Sequence, residues 1–273
     1  MILGLLGNPV SISWSELLFN RIFEIEGNRN AYYAINASPH TINRIIDTNI
    51  SPYDGFNVTA PYKEYILNFA TDREPLVWKT GSSNVIKKYS GGYSAFNVDY
   101  IGFDFTLKKN HVNLDGKRVG IVGSGGVSKT ILYYVLTNSS PELLDILTTN
   151  MEKAGERIKG TWQYSNMAIK PYDSADEYDV LINCTPLGMR KTDRDPAPNS
   201  KISNKGFLID LTYQQEETKF MEKAKLFNAR AVNGRDMFFE QARETYRIFF
   251  DNYPENPLFE RAREDVLNWA GKS

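Results

Sequence analysis

A glycine-rich turn between a strand and a helix places the strongest constraint on the fold. In VGIVGSGGVSK (residues 119–129), Gly123 and Gly125 follow an apolar strand-like run and precede the helix-like VSKTILYYVL, with Ser128 in the third small position. In such a turn the first glycine permits tight bending, the second lets backbone approach a pyrophosphate, and the helix N-terminus favours negative charge. The motif predicts a dinucleotide-binding unit, although an ordinary strand–turn–helix has the same local pattern.

Strand-like and helix-like segments alternate on both sides of this turn. Before it come strand-like MILGLLG, AYYAINA and DGFNVT, helix-like SWSELLFNRIFEIEG, PHTINRIIDTN and PYKEYILNFA, two strands around Gly91-Gly92, and a helix in DYIGFDFTLKKN. After it, DVLINCTPLG and GFLIDLTY continue the alternation, and the tail from Arg235 is helical. The pattern predicts two α/β domains with parallel sheets covered by helices, the second of them Rossmann-like. We expect residues 1–105 plus 236–273 to form the first domain and 106–235 the second, with the helical tail packing back on the first domain and a cleft between the two.

Composition and charge argue against several classes of protein. The 273 residues are 41% hydrophobic and 24% charged, which is enough to bury a core. The 32 basic and 33 acidic residues nearly balance, which argues against a nucleic-acid or anionic-membrane partner. The single Cys184 permits no internal disulfide, and no run approaches the ~20 apolar residues of a membrane span. We interpret MILGLLGNPV as a strand rather than a signal peptide, and we expect a cytoplasmic protein.

Lys63 lies where strand-like DGFNVT meets APYKEYI, which opens with Pro61, a residue well tolerated in the first turn of a helix. Such junctions often hold functional residues because the neighbouring elements fix the backbone there. A solvated lysine on a helix surface remains the alternative from the residues alone. The two histidines, His40 and His111, have no spacing typical of metal ligands, so no metal site is predicted.

Eight ordered motifs resemble the shikimate dehydrogenase family, and they extend over nearly the whole chain. They are GNPVSISWS, NVTAPYKE, GSSNVI, FNVDYIG, GSGGVSK, NCTPLGM, and the closing pair DLTYQQEETKF and MFFEQARETY. The resemblance implies a substrate-binding catalytic domain followed by a Rossmann NADP-binding domain. The reaction that it implies is the NADP-linked interconversion of 3-dehydroshikimate and shikimate.

The same resemblance implies roles for individual residues. Lys63 corresponds to the catalytic lysine, and Asp99 to the carboxylate that holds the lysine and binds a substrate hydroxyl; a helix N-cap is the alternative role for Asp99. The implied substrate-binding residues are Ser13, Ser15, Thr59, Asn84, Tyr213 and Gln241, and helix capping is the alternative role for one of the serines. The implied cofactor-binding residues are Gly123, Ser124, Gly125, Gly126, Val127, Thr148, Thr149, Asn150, Lys153, Thr185, Pro186, Leu211 and Gly234.

The tip of the second nucleotide-domain strand departs from the family pattern. Thr149 stands where the family's Asn-Arg-Thr segment has the arginine that binds the 2′-phosphate, while Lys153 matches a second basic position. No acidic residue lies at this tip to repel a phosphate, so we expect NADP as cofactor with NAD also possible. Glu16, Val98, Tyr100 and Asp236 are further departures from the family pattern.

Two alternatives to an NADP-linked shikimate dehydrogenase remain at this point. One is a quinate/shikimate dehydrogenase paralogue that also or mainly oxidises quinate, with NAD, and the other is a ligand sensor without catalytic activity on the same fold. Retention of both Lys63 and Asp99 argues against the sensor, because binding alone does not need that pair. The expected partners are a small-molecule substrate and a second copy at most, as a monomer or homodimer.

Overall fold

The computed structural model describes residues 1–11, 13–158 and 165–271. In chain order its elements are β1 (Ile2–Gly7), α1 (Ser15–Glu26), β2 (Ala31–Asn36), α2 (Ile42–Ile45), β3 (Gly55–Val58), a 3₁₀ helix (Tyr65–Phe69), β4 (Ala70–Arg73), α3 (Pro75–Thr80), β5 (Val85–Tyr89), β6 (Gly92–Phe96), α4 (Asp99–Lys109), β7 (Arg118–Val122), α5 (Gly126–Asn138), β8 (Leu143–Thr148), α6 (Met151–Ile158), β9 (Met167–Pro171), β10 (Glu177–Asn183), β11 (Lys201–Asp210), α7 (Lys219–Leu226), β12 (Arg230–Val232), α8 (Arg235–Phe250) and α9 (Asn256–Ala270).

The chain divides into two compact units. The first comprises Met1–Val98 and Phe239–Ser273, and the second comprises Asp99–Phe238. The boundaries predicted from the sequence, after residues 105 and 235, differ from these by seven and by three residues. The mixed α/β class predicted from the strand–helix alternation is confirmed.

The sheet of the first unit has six strands among the described residues, in the order β2-β1-β3-β5-β6-β4. Strand β1 pairs in parallel with β2 and β3, as the alternation predicts. Strand β5 runs antiparallel to both β3 and β6, and the predicted hairpin around Gly91-Gly92 accounts for its pairing with β6. The first sheet is therefore mixed rather than wholly parallel.

Helix α1 shows how the sequence determines the packing of the first unit. Its buried residues Leu18, Phe19, Ile22 and Phe23 recur at helical spacing and form one apolar face. The ring of Phe19 stacks on that of Tyr32 in β2, with centroids 4.6 Å apart. The helix ends at Gly27, whose φ of 67° lies in the left-handed region that glycine adopts readily.

The second unit has an all-parallel sheet in the order β12-β11-β10-β7-β8-β9, counted over the described residues. When β7 to β12 are renumbered 1 to 6 and the sheet is read from β9, the strand order is 3-2-1-4-5-6. This is the strand order of doubly wound dinucleotide-binding folds. The chain adds β8 and β9 on one side of β7 and then β10, β11 and β12 on the other side, so the switch point lies between β7 and β10. Ligands bind such sheets outside the carboxyl ends of the strands at this switch point.

The prediction that a helix begins at Pro61 is wrong. Residues 60–64 form turns, and the following segment is the short 3₁₀ helix that ends where β4 begins. Its buried Ile66 and Leu67 join the core of the first unit, and the Tyr62 hydroxyl donates to the Ala37 carbonyl at 2.6 Å. Aromatic and β-branched residues favour helix weakly, so tertiary packing decides the local conformation here.

Within the described part of the chain, the structure contains no helix whose length and apolar character suffice to cross a bilayer. Cys184 is buried in the core of the second unit.

Candidate active site

Two serine hydroxyls lie together at the start of α1. The Ser13 Oγ donates to the Ser15 Oγ at 3.1 Å and accepts from the Ser15 backbone N–H at 3.2 Å. Both side chains are half-buried, and the helix has no side-chain cap at its N-cap residue, Trp14. Paired hydroxyls beside a helix N-terminus suit an anion such as a carboxylate, because O–H donors and the helix dipole both favour negative charge.

Glu16, which departs from the family pattern beside these serines, has a partner in the first unit. Its Oε1 accepts from the Ala34 backbone N–H of β2 at 3.2 Å. The carboxylate therefore binds the backbone of the neighbouring strand.

A chain of contacts within the first unit links the segment of Lys63 to the residue that precedes Asp99. The Lys63 carbonyl accepts from the Ser83 N–H at 2.8 Å. The next residue, Asn84, is 3% exposed, and its Oδ1 accepts from the Val98 N–H at 2.9 Å. The half-buried Lys63 side chain thus extends from a turn whose backbone is held by the segment that also fixes Val98.

Asn84 and Gln241, both predicted to bind substrate, lie side by side. The Asn84 Nδ2 donates to the Gln241 Oε1 at 3.2 Å, which brings α8 against the end of β5. Thr59, also predicted to bind substrate, follows β3 directly, and its N–H donates to the Leu6 carbonyl at 2.8 Å. The first unit therefore holds these predicted residues through backbone and amide hydrogen bonds.

Asp99 is the first residue of α4 and is 2% exposed. The helix begins at this residue, so its carboxylate lies in the first turn, where the helix dipole favours a negative charge. Tyr100, which replaces the family's glycine, belongs to the same helix. Its hydroxyl accepts from the Asn138 Nδ2 at 2.6 Å, and its ring lies 4.9 Å from that of Tyr134, so α5 takes up the larger side chain.

Tyr213 lies in the second unit, after β11. Its half-buried ring stacks on Phe238 with centroids 4.4 Å apart, and its carbonyl accepts from the Arg235 Nε at 3.3 Å. Asp236 lies in the first turn of α8, and its carboxylate pairs with the Lys109 ammonium at 2.8 Å. The charge that Asp236 introduces is therefore balanced within the second unit.

The glycine-rich turn follows β7 at the switch point of the second sheet. Gly123 has a φ of 107°, a conformation that side chains rarely permit, and its N–H donates to the Leu147 carbonyl at 2.8 Å. A Cβ on Gly125 would meet no atom within 4 Å among the described residues, so this part of the turn faces open space. The Oγ of Ser128 is buried and has no hydrogen-bond partner among the residues that the structure describes.

These features fit the phosphates of a dinucleotide. Helix α5 begins at Gly126, and its N-cap residue, Gly125, supplies no side-chain cap, so its first N–H groups suit an anion. Val127, predicted to bind the cofactor, is half-buried in the first turn of this helix.

Four residues predicted to bind the cofactor, Thr148, Thr149, Asn150 and Lys153, lie at or just after the end of β8. The Thr148 Oγ1 lies 3.3 Å from the Ser124 Oγ, which joins the strand tip to the glycine-rich turn. Asn150 Oδ1 accepts from the Lys153 N–H at 2.9 Å and so caps the start of α6. Thr149 and Lys153 are exposed.

A buried polar network supports the other half of the predicted cofactor site. Asn183 at the end of β10 accepts, through its Oδ1, from both the N–H (2.9 Å) and the hydroxyl (2.7 Å) of Thr185. Its Nδ2 donates to the Leu187 carbonyl at 2.8 Å and to the Asp210 Oδ1 at 2.9 Å. Asn183 therefore fixes the turn of NCTPLG that contains Thr185 and Pro186.

Asp210 holds the next loop in the same way. Its fully buried carboxylate accepts from the Thr212 N–H (3.0 Å), the Thr212 hydroxyl (2.9 Å) and the Thr218 hydroxyl (2.6 Å). Burial raises the pKa of Asp210, and the hydrogen bonds from Thr218, Thr212 and Asn183 oppose that shift. Gly234 packs directly on the Leu211 carbonyl, which brings two predicted cofactor residues together.

Sequence reasoning missed Asn183 and Asp210, and it also missed Arg157 of α6. A signal was available for the first two, because each ends a long apolar run, DVLIN and GFLID. A polar residue at the carboxyl end of a buried parallel strand lies at the edge where ligands bind.

The parallel sheet, its glycine-rich turn and the polar loops after β10 and β11 define an α/β protein with a Rossmann-type dinucleotide-binding unit. Residues 5–86 match the family model described as the shikimate dehydrogenase substrate binding domain. A shikimate dehydrogenase (NADP(+)) of Thermoplasma acidophilum is 31% identical over 269 residues, which cover 98% of this chain and 96% of that protein. The chain belongs to the shikimate dehydrogenase family.

Solved structures agree with this assignment. A chorismate mutase/shikimate 5-dehydrogenase fusion protein from Clostridium acetobutylicum is 30% identical, with a TM-score of 0.81 over 100% of this chain and 98% of that chain. Shikimate 5-dehydrogenase from Thermus thermophilus, in complex with NADP(H) and shikimate, is 22% identical, with a TM-score of 0.80 over 97% and 99% of the two chains. The first adds sequence similarity, while the second is evidence for the fold alone.

Proposed function

We propose that this protein catalyses the reversible, NADP-dependent reduction of 3-dehydroshikimate to shikimate, a step in aromatic amino-acid biosynthesis. The observation that carries the proposal is a glycine-rich turn at the switch point of an all-parallel sheet, in a chain related over 98% of its length to a shikimate dehydrogenase (NADP(+)). The residues proposed to bind and convert the substrate lie in the first unit, except for Asp99 and Tyr213, and the residues proposed to bind NADP lie in the second unit. A cytoplasmic location and a monomeric or homodimeric state stay predictions.

Lys63 is proposed as the catalytic lysine. When bound, NADPH supplies the hydride that reduces the substrate ketone. Negative charge then develops on the ketone oxygen, and the Lys63 ammonium stabilises this charge and donates a proton to that oxygen. Asp99 is proposed to act with Lys63 as one catalytic pair and to accept a hydrogen bond from a substrate hydroxyl.

The substrate carboxylate is proposed to bind the hydroxyls of Ser13 and Ser15. Their mutual 3.1 Å hydrogen bond supports this role, because it keeps two donors in one small region. Asn84 is proposed to bind a ring hydroxyl, because its amide is held rigidly between the Val98 N–H and Gln241. Rigid polar groups of this kind orient a substrate at little entropic cost.

The decisive experiment offers the purified protein shikimate or quinate with NADP or NAD, and follows the absorbance of the reduced nicotinamide. We expect the highest kcat/KM for the pair shikimate and NADP. The Lys63→Ala variant should lose turnover, while Lys79→Ala, which removes an exposed lysine of the same unit, serves as the matched control.

Other outcomes distinguish the alternative functions. Preferential oxidation of quinate with NAD would identify the paralogue and would overturn the proposal. Binding of shikimate, detected by calorimetry, without turnover with either cofactor would favour the sensor. Light scattering coupled to size-exclusion chromatography measures the oligomeric state independently of activity.

A further inference from the structure

Arg157 contacts the glycine-rich turn from helix α6. Its Nη1 donates to the Ser124 carbonyl at 2.9 Å, and the side chain is half-buried. Ser124 is also the residue whose hydroxyl lies 3.3 Å from the Thr148 Oγ1. The Arg157 guanidinium therefore lies against the turn where the turn meets the tip of β8.

The position of α6 is set by its first residues. Asn150 caps the helix through the Lys153 N–H, and its own N–H donates to the Thr148 Oγ1 at 3.3 Å. Lys153 and Arg157 are four residues apart on this helix, so their side chains occupy the same face. Two cationic side chains thus belong to the face of α6 from which Arg157 reaches the turn.

In doubly wound folds the adenosine ribose lies at the tip of the second strand, where an arginine accommodates the 2′-phosphate of NADP. Here that strand is β8, and the exposed Thr149 occupies the tip. We propose that Arg157 binds the 2′-phosphate of NADP and supplies the guanidinium that Thr149 lacks, with Lys153 adding a second positive charge. The inference rests on the proposed function, since it concerns the same cofactor.

The chemistry of arginine fits this role better than that of lysine alone. A guanidinium is planar, stays charged at all relevant pH values, and presents five N–H donors that match phosphate oxygens in pairs. The hydrogen bond to the Ser124 carbonyl orients the plane of the group, so little side-chain freedom is left to lose when a phosphate binds.

The test measures binding and requires no turnover. Adenosine 2′,5′-bisphosphate and adenosine 5′-monophosphate are titrated by calorimetry into the full-length wild type, Arg157→Ala and Arg230→Ala. Arg230 is the matched control, because its Nη2 also donates to a backbone carbonyl, that of Asn110 at 3.1 Å, but from β12 at the opposite edge of the sheet. We expect Arg157→Ala to weaken binding of the bisphosphate by about 10- to 100-fold and binding of the monophosphate by less than about twofold. Arg230→Ala should change neither.

The wild type and the variants test different statements. Equal affinity of the wild type for the two nucleotides would overturn the proposed use of NADP, and with it this inference. A clear wild-type preference for the bisphosphate that survives Arg157→Ala would overturn only the role of Arg157. Equal weakening of the binding of both nucleotides would show that Arg157 only supports the glycine-rich turn. That result would also overturn the proposed role of Arg157 at the 2′-phosphate. If Arg157→Ala does not fold, Arg157→Gln removes the charge while keeping an N–H donor, and the same selective loss is expected.

Discussion

Replacing Asp210 by alanine should destabilise the protein by about 3–5 kcal/mol. The carboxylate is fully buried and accepts four hydrogen bonds, from Asn183 Nδ2, the Thr212 N–H, the Thr212 hydroxyl and the Thr218 hydroxyl. Asn183 Nδ2 keeps the Leu187 carbonyl as the acceptor for one of its two N–H groups, while the other N–H loses its acceptor. The Thr212 N–H and the two hydroxyls lose an acceptor, and each unsatisfied buried group costs about 1–3 kcal/mol, less where a hydroxyl can rotate.

The Asp210→Asn variant separates hydrogen bonding from charge. The amide oxygen can replace Oδ1 and accept its three hydrogen bonds, so only the contact with Thr218 must reverse its donor and acceptor. We expect a loss of about 1 kcal/mol, the typical contribution of one hydrogen bond. Urea unfolding followed by circular dichroism, analysed for both variants, gives the free energies of unfolding.

The pH dependence of the same measurements tests the charge of Asp210. Burial raises the pKa of Asp210 in the folded state above the ordinary value of 3.8. Between the unfolded pKa and the folded pKa, the folded protein therefore keeps a proton on Asp210 that the unfolded chain has released. The stability that this proton contributes is fully present below the unfolded pKa and is lost as pH rises through the folded pKa. The free energy of unfolding of the wild type, relative to Asp210→Asn, should therefore decrease as pH rises above about 4.

Two results would refute this reasoning. A loss below about 1 kcal/mol for Asp210→Ala would show that the threonines find other partners at no penalty. A relative stability that increases with pH would show that the hydrogen bonds, and not burial, dominate the pKa of Asp210.

Three predictions concern the proposed chemistry. Lys63→Ala should lower kcat by about 10²- to 10⁴-fold with a smaller effect on KM, and the loss of kcat in the double variant with Asp99→Ala should be less than additive. A normal kcat for Lys63→Ala in steady-state kinetics would remove Lys63 from the mechanism. Ser13→Ala combined with Ser15→Ala should weaken shikimate binding by about 1.5–3 kcal/mol per hydrogen bond without changing the Kd for NADP, and calorimetry showing equal losses for both ligands would contradict the assignment. Thr149→Arg should lower the KM for NADP and leave that for NAD nearly unchanged, so a parallel change in both would place Thr149 away from the 2′-phosphate.

The dinucleotide-binding half of the fold could be predicted because its signals are local. An apolar run, two glycines and a helical pattern specify the strand, the turn and α5 within one continuous segment. The end of the next strand, predicted from the sequence at Thr148, Thr149 and Asn150, lies at Thr148, the first of these three residues. Tertiary packing overrode the local signal at Pro61, where the proline indicated a helix start and the structure has turns before a 3₁₀ helix.

The supporting polar network could not be predicted from local patterns. Asn183 and Asp210 are far apart in sequence and become neighbours only because β10 and β11 pair in parallel with these two residues in register. Arg157 reaches Ser124 in the same non-local way, from the helix after β8 to the turn after β7. Contacts of this kind depend on strand order and register, which single-sequence periodicity does not specify.

The departures from the family pattern gain a physical interpretation from their contacts. Glu16 accepts from a strand N–H, Tyr100 packs on α5, and the Val98 N–H is held by the buried Asn84 amide. Asp236 is paired with the Lys109 ammonium at 2.8 Å, although both groups are partly exposed, so the pair adds little to stability. The main effect of this ion pair is on local charge, because an unpaired Asp236 carboxylate would disfavour a negatively charged cofactor bound nearby. The side chains of Glu16, Tyr100 and Asp236 thus each make a contact inside their own unit, which favours retention of the family's reaction over a change of substrate.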